Sequence, residues 1–345
     1  MSKLDIASMD IAELKSLLRS FGEPEYRAGQ IFAWLQSGIS SFDEMTNISK
    51  NLRQQLSDVC YLATVKIVKK YVSKIDGTVK YLYELYDGEY IESVFMQYKH
   101  GYTVCISTQV GCRMGCSFCA SGIDGLQRDL TASEMLAQIN MAAKDNNVRI
   151  SNVVMMGMGE PLDNFENSVK FLRLVSCDKG INIGLRHISL STSGVVSGIY
   201  KLAELNLPIT LSISLHASND AIRSSIMKVN KKWNIDELIT ACKYYQGITG
   251  RRISFEYALI SGVNDSVKNA DELATRLKGI MSHVNLIPVN PVEENSFVRS
   301  DEKSIHRFAK LLNDRNITAT VRRTLGADIN ASCGQLRRRN NKKGE

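Results

Sequence analysis

From about residue 102 the chain alternates short, apolar, β-rich runs with amphipathic helical stretches, and no other feature restricts its fold as much. Strand-like runs fall at 102–106, 150–156, 186–190, 209–215, 253–258 and 284–289. Thr131-x-x-Glu134 marks the start of one intervening helix, and 234–245, 266–280 and 301–313 supply others. Repeated units of this length require parallel strands joined by right-handed crossovers. Six of them predict an α/β fold built on a partial (β/α)6 barrel rather than a closed eight-stranded one. Residues 317–322 add one more strand.

The flanks differ in rhythm. Residues 1–62 read as a small helical module. Asp10-x-x-Glu13 has the form of a capping box, with Ile11, Leu14, Leu17 and Leu18 following at helical spacing. Residues 63–97 switch to a period of two. Runs at 64–72 and 78–86 flank Asp76-Gly77, a hairpin signal, and 89–97 continue after Asp87-Gly88. The barrel is expected over 98–325. The last segment, 326–345, has Gly326 and Gly334, little apolar periodicity, and a basic end from Arg337 to Lys343. It reads as a mobile tail.

The net charge of +7 tilts toward a polyanionic partner. Lys66, Lys69, Lys70 and Lys74 concentrate charge near the hairpin. No apolar run is long enough to span a bilayer, and the first residues lack the apolar centre of a signal peptide. A cytoplasmic protein, working as a monomer, is expected. Eight cysteines in 345 residues do not make a disulfide scaffold.

Three of them, Cys112, Cys116 and Cys119, lie in one C-x3-C-x2-C run just after the first barrel strand. Three thiolates are one short of the four that close an iron–sulfur cluster or a structural zinc site. An open metal position implies chemistry. In βα barrels the working residues sit where strands end. Those ends read Met156-Gly157-Met158-Gly159-Glu160-Pro161, Ser189-Leu190-Ser191-Thr192-Ser193, Ser214-Leu215-His216 and Pro288-Val289-Asn290. Small and polar groups therefore converge on the rim that carries the cysteines. A competing reading is a zinc-bearing RNA-binding protein with Cys105 or His187 as fourth ligand, although no second cysteine knuckle is present. Cys60, Cys177 and Cys242 lie outside any motif, in helical or loop contexts, and read as structural.

The cysteine triplet in this setting resembles the radical S-adenosylmethionine enzymes. Four motifs resemble the RlmN/Cfr family of RNA adenine methyltransferases more specifically: Gln109-Val110-Gly111-Cys112, Met156 to Pro161, Ser212-Ile213-Ser214-Leu215-His216, and Ala331-Ser332-Cys333-Gly334-Gln335-Leu336. The likeness covers nearly the whole chain. It implies a [4Fe-4S] cluster on Cys112, Cys116 and Cys119, whose open iron is chelated by S-adenosylmethionine. It implies cofactor contacts from Gly159, Glu160, Ser191, Ser214, Leu215, His216 and Asn290. Cys333 would carry the methyl group, Cys105 would resolve the adduct through a transient disulfide, and Glu92 would accept a proton. Two molecules of S-adenosylmethionine would serve each turnover, with electrons from a flavodoxin-type donor. The implied substrates are 23S ribosomal RNA near the peptidyl transferase centre and transfer RNA beside the anticodon. Methylation at adenine C2 is the RlmN outcome and C8 the Cfr outcome. The stretches 158–164 and 250–257 resemble the RlmN branch more. The family's Asp-Ile-Asp-Ala-Ala-Cys-Gly stands here as Asp328-Ile329-Asn330-Ala331-Ser332-Cys333-Gly334, a change expected to matter little.

Overall fold

The computed structural model describes residues 3–290, 292 and 295–337. A two-residue strand, β1 (Leu4–Asp5), is followed by helices α1 (Ile11–Ser20), α2 (Arg27–Gln36) and α3 (Lys50–Val59). The Asp10–Glu13 capping box is formed, each side chain accepting from the other's backbone N–H. It satisfies two donors that the helix cannot use itself. Leu14 and Leu18 bury the inner face of α1, and Leu52 and Leu56 that of α3. Strand β2 (Cys60–Tyr61) returns parallel to β1, so the module is not wholly helical. Cys60 is thus a strand residue, held there because Leu4 and Asp5 offer a backbone partner.

Strands β3 (Lys66–Val72), β4 (Val79–Glu84), β5 (Tyr90–Tyr98) and β6 (Gly101–Cys105) then run antiparallel to one another. After β6 come a short ribbon, β7 (Gln109–Gly111) with β8 (Leu126–Asp129), and helix α4 (Ala132–Asn146). Thr131 caps α4 in the predicted box with Glu134. The barrel continues as β9 (Ile150–Met155), α5 (Phe165–Val175), β10 (Ile188–Thr192), α6 (Val196–Glu204), β11 (Thr210–Ser214), α7 (Asp220–Ile226), α8 (Ile235–Thr249), β12 (Ile253–Leu259), α9 (Val267–Leu277), β13 (Ser282–Pro288), α10 (Glu302–Asp314) and β14 (Ala319–Val321).

One ten-stranded sheet results, in the order β14-β13-β12-β11-β10-β9-β6-β5-β4-β3. From β6 through β14 neighbouring strands are parallel, as six βα units and one further strand demand. This is the expected partial barrel. The hairpin region is not a separate extension. β5 pairs directly with β6, so the antiparallel strands continue the barrel sheet. The third barrel strand begins at Ile188 rather than 186, because 185–187 form a tight 3-10 turn. The N-terminal module shares one continuous apolar core with the barrel. Asp5 also accepts a hydrogen bond from Ser133 at the start of α4 (2.6 Å), and Lys170 of α5 pairs with Glu13 (2.8 Å). Among the described residues no helix is long and apolar enough to cross a membrane.

The C-terminal segment departs most from expectation. Read as mobile, it is tied down through Arg337, the last described residue. Asp328 accepts from Ser73 Oγ (2.7 Å) and the Lys74 N–H (2.9 Å), and the Gly326 N–H donates to Asp76 (2.9 Å). Ala120 N–H donates to Gly334 O (2.8 Å), Ser121 Oγ to Leu336 O (2.7 Å), and the Arg337 N–H to Glu92 Oε2 (2.9 Å). Ala331 and Leu336 are buried. The remainder of the basic run, from Arg338 on, lies outside the described residues.

Candidate active site

The β7–β8 ribbon frames the cysteine loop at its base. Gly111 has φ +79°, and a Cβ there would lie 1.9 Å from Gly125 O, so only glycine fits. The Cys112 N–H then donates to that same carbonyl (3.1 Å). Further along, Ser117 N–H donates to Ile226 O (3.0 Å) and Cys119 N–H to Cys116 O (3.1 Å). The loop's outer arc is thereby fastened to the end of α7.

Cys112, Cys116 and Cys119 all line one cavity at the carboxyl ends of the strands. Gly159, Glu160, Ser191, Ser214, His216 and Asn290 line it too. These strand ends meet there because buried polar groups bind them together. Glu160 is 3% exposed; its carboxylate accepts from Ser193 N–H (2.6 Å) and Leu162 N–H (3.0 Å). Burial raises its pKa, opposed by those two N–H groups. Gly159, at φ +103°, lies so close to Gln109 that a Cβ would come within 2.7 Å of its backbone nitrogen. Gln109 in turn accepts from the Glu160 N–H (2.9 Å). His216 adopts φ +56°, unusual for a non-glycine residue, and its Nδ1 accepts from the Ala258 N–H (2.9 Å). Burial lowers its pKa to about 3, so the ring is neutral with its proton on Nε2. Leu215 is the exception among the expected cofactor residues. It is fully buried and outside the cavity wall, while its carbonyl accepts from Arg223.

Sequence reasoning missed Arg223. It is 0% exposed and donates to the carbonyls of Leu215 (3.1 Å), Ser193 (2.6 Å) and Ser214 (3.3 Å), and to Asn230 Oδ1 (2.9 Å). One guanidinium therefore staples the ends of β10 and β11, and burial brings its pKa down to about 10. It gave no local signal, since an arginine in a short helix reads as a surface residue. Glu256 and Arg322, also in the cavity wall, were missed too, because a charged residue in or just after a strand gives no local sign of facing a cavity.

A second cavity adjoins the first and shares Met156, Ile287, Asn290, Arg322 and Cys333 with it. Cys105 opens onto this second cavity, so the two distant cysteines face one space. Asn290 Nδ2 holds the Cys333 carbonyl (3.0 Å). Burial pushes the Cys105 thiol up to about 12, with Cys333 adding to the effect and Arg322 opposing it. All eight cysteines are free thiols, so no Cys105–Cys333 disulfide is present. Glu92 is 1% exposed, 3.4 Å from Lys80, and lies on the same face of β5 as Val94, which lines the second cavity. Its side chain is in neither cavity wall.

The donor set suits an iron–sulfur cluster. Three thiols from one loop face one cavity, and each would bind a different iron. Among the described residues no three His, Cys, Asp or Glu side chains converge on a single-ion position. His187, offered as a fourth ligand, sits at the opposite end of β10, exposed and bonded to Asn152 (3.1 Å). Burial raises the pKa of Cys116, Cys119 and Cys112, the last to about 12. Bound iron reverses that preference by deprotonating its ligands.

A cysteine loop at the mouth of a partial βα barrel, opposite Gly159 and Glu160, is the site of a radical S-adenosylmethionine protein, and residues 106–274 match the family model of the radical SAM superfamily. Residues 4–62 match the N-terminal domain of ribosomal RNA large subunit methyltransferases. The chain is 54% identical to a probable dual-specificity RNA methyltransferase RlmN of Alkaliphilus oremlandii, over 98% of this chain and 99% of that one. It is 51% identical to the protein of that name in Clostridium novyi, over 97% and 98%. A radical SAM methyltransferase from Sphaerobacter thermophilus superposes with a TM-score of 0.92 at 46% identity, covering 97% of this chain and 99% of that one. The chain belongs to the RlmN family of radical SAM methyltransferases.

Proposed function

We propose that this chain methylates C2 of adenosine in 23S ribosomal RNA near the peptidyl transferase centre and in transfer RNA beside the anticodon. Cys333 is the methyl carrier. The placement of Cys105 and Cys333 around one cavity, continuous with the cavity of the cluster cysteines, carries this reading.

Adenine C2 lies between two ring nitrogens and is electron-poor. It does not attack a methyl sulfonium, but a carbon radical adds to it. Bound at Cys112, Cys116 and Cys119, the cluster with S-adenosylmethionine supplies the radical chemistry. Gly159, Glu160, Ser191, Ser214, His216 and Asn290 are our residues for holding the cofactor, with neutral His216 able to donate from Nε2. Cys333 takes a methyl group on its sulfur, as a thiolate nucleophile can. That methyl would lose a hydrogen atom to the radical the bound cofactor supplies, and its carbon then adds to C2 and joins RNA to protein. The adduct gives up one electron and its C2 proton. The Cys105 thiolate then attacks the Cys333 sulfur, and the S–C bond breaks with its electron pair passing to the methylene carbon, which takes up a proton to become the methyl group. An external thiol reduces the resulting disulfide. Glu92 is our candidate for the proton acceptor. Two S-adenosylmethionine molecules per turnover follow, one for the carrier methyl and one for the radical. A flavodoxin-type donor, action as a monomer and a cytoplasmic setting complete the reading.

The Cys105→Ala variant tests the resolving step. It should accumulate a covalent RNA–protein adduct, seen as a band shift on a denaturing gel that nuclease removes. Turnover at the wild-type rate with no adduct would remove Cys105 from the mechanism.

A further inference from the structure

One ion pair in the cavity wall has no part in that sequence of steps. Glu256, on β12, is 3% exposed. Its Oε1 accepts from Ser254 Oγ (3.1 Å) and Asn285 Nδ2 (3.0 Å). Its Oε2 has no hydrogen-bond partner among the described residues. Arg322 Nη1 stands 3.8 Å away, too far for a hydrogen bond but close enough for an ion pair. Arg322 directly follows β14 and is fixed by its backbone N–H on Leu286 O (2.9 Å) and by Nη1 against Met156 Sδ (3.7 Å). The rest of its guanidinium makes no hydrogen bond to a described residue. Both residues line the first cavity, and Arg322 also lines the second, with Cys105 and Cys333.

A buried carboxylate oxygen without a donor is costly and calls for a partner. Here it stands beside a guanidinium with donors to spare. The pair sets an acceptor beside a donor in the wall of the cavity that also holds the cluster cysteines and Cys333. The Watson–Crick edge of adenine presents the complement, an N6 amino donor next to the N1 acceptor. Proteins that act on an extruded base read that edge.

We propose that Glu256 and Arg322 read the Watson–Crick edge of the target adenine, Glu256 Oε2 accepting from the N6 amino group and Arg322 donating to N1. This rests on the adenosine-methylation reading above and deepens it. C2 adjoins N1, so a cationic donor on N1 withdraws electron density from the carbon that the radical must reach. The same contact turns the six-membered ring inward and leaves C8 on the far side of the purine. Guanine inverts both contacts, placing O6 against the carboxylate and N1–H against the guanidinium. Inosine does the same while keeping a hydrogen at C2, which makes it the clean probe.

The test uses the reconstituted holoenzyme with substrate RNA carrying adenosine or inosine at the target position. Glu256→Gln keeps an oxygen for Ser254 and Asn285 and puts an amide N–H2 where the unpartnered oxygen stood. Wild type should use inosine at least ~100-fold less well than adenosine, by kcat/KM. Glu256→Gln should shift that ratio toward inosine by roughly tenfold or more. Arg322→Gln, whose carbonyl can accept from N1–H, should shift it the same way. Iron content and melting temperature check that each variant is folded, and the wild-type comparison decides even where a variant is not. Equal use of both bases by wild type, or equal loss on both by the two variants, overturns the proposal. Failure of wild type to methylate adenosine at all would instead overturn the functional reading beneath it.

Discussion

His216 shows how much one side chain does here. It holds a left-handed backbone turn, presents a ring edge-on to Phe118 (4.9 Å between centroids), and accepts from the Ala258 N–H. Its folded pKa is about 3, against ~6.5 for the unfolded chain. Between those values the unfolded chain binds the extra proton, so stability falls as pH drops below ~6.5. From pH 7 to pH 5 the loss from this residue is about 2 kcal/mol. Asparagine tolerates the same backbone turn, so His216→Asn should melt with a visibly flatter dependence on pH over that interval. An unchanged slope would mean that the ring titrates normally. Single residues were unevenly legible. The cysteines announced themselves by spacing, and Gly159, Glu160 and His216 by lying at predicted strand ends. Arg223, Glu256 and Arg322 did not, because a charged residue in a strand or short helix carries no mark of burial until its distant partners are in place.

At the scale of elements, the antiparallel strands beside the barrel explain the tail. The β3–β4 turn supplies Ser73, Lys74 and Asp76, which hold Asp328 and the Gly326 N–H, while Lys80 of β4 donates to Asn330 O (3.2 Å). The hairpin therefore works as a clamp on the segment that carries Cys333. Asn330 uses its backbone carbonyl in this clamp, and its φ of +51° suits asparagine. Asp328→Ala should loosen 326–337, read as faster amide exchange there, with the melting temperature of the barrel within about 2 °C of wild type. Unaltered exchange would show that the other contacts suffice. Helices were legible because their caps are local, as at Asp10 and Thr131. The tail was not. Its order comes from partners some 250 positions earlier in the chain, and its low apolar periodicity resembled disorder.

At the scale of the molecule, the βα rhythm was enough to give the parallel sheet, since strand–helix–strand units of that length pair their strands in parallel. It did not reveal that the antiparallel strands continue that sheet, because edge pairing between β5 and β6 leaves no periodic trace. It also gave no hint that the N-terminal module shares the barrel's core. Together these features place the Cys112–Cys119 loop, the clamped Cys333 and Cys105 around connected cavities. The central claim is that this assembly delivers a methyl group to adenine C2. The direct test is mass spectrometry of nucleosides from RNA treated with the anaerobically reconstituted enzyme and S-adenosylmethionine. The account predicts 2-methyladenosine. Finding 8-methyladenosine alone, or no methylated adenosine from iron-loaded enzyme supplied with a reductant, would contradict it.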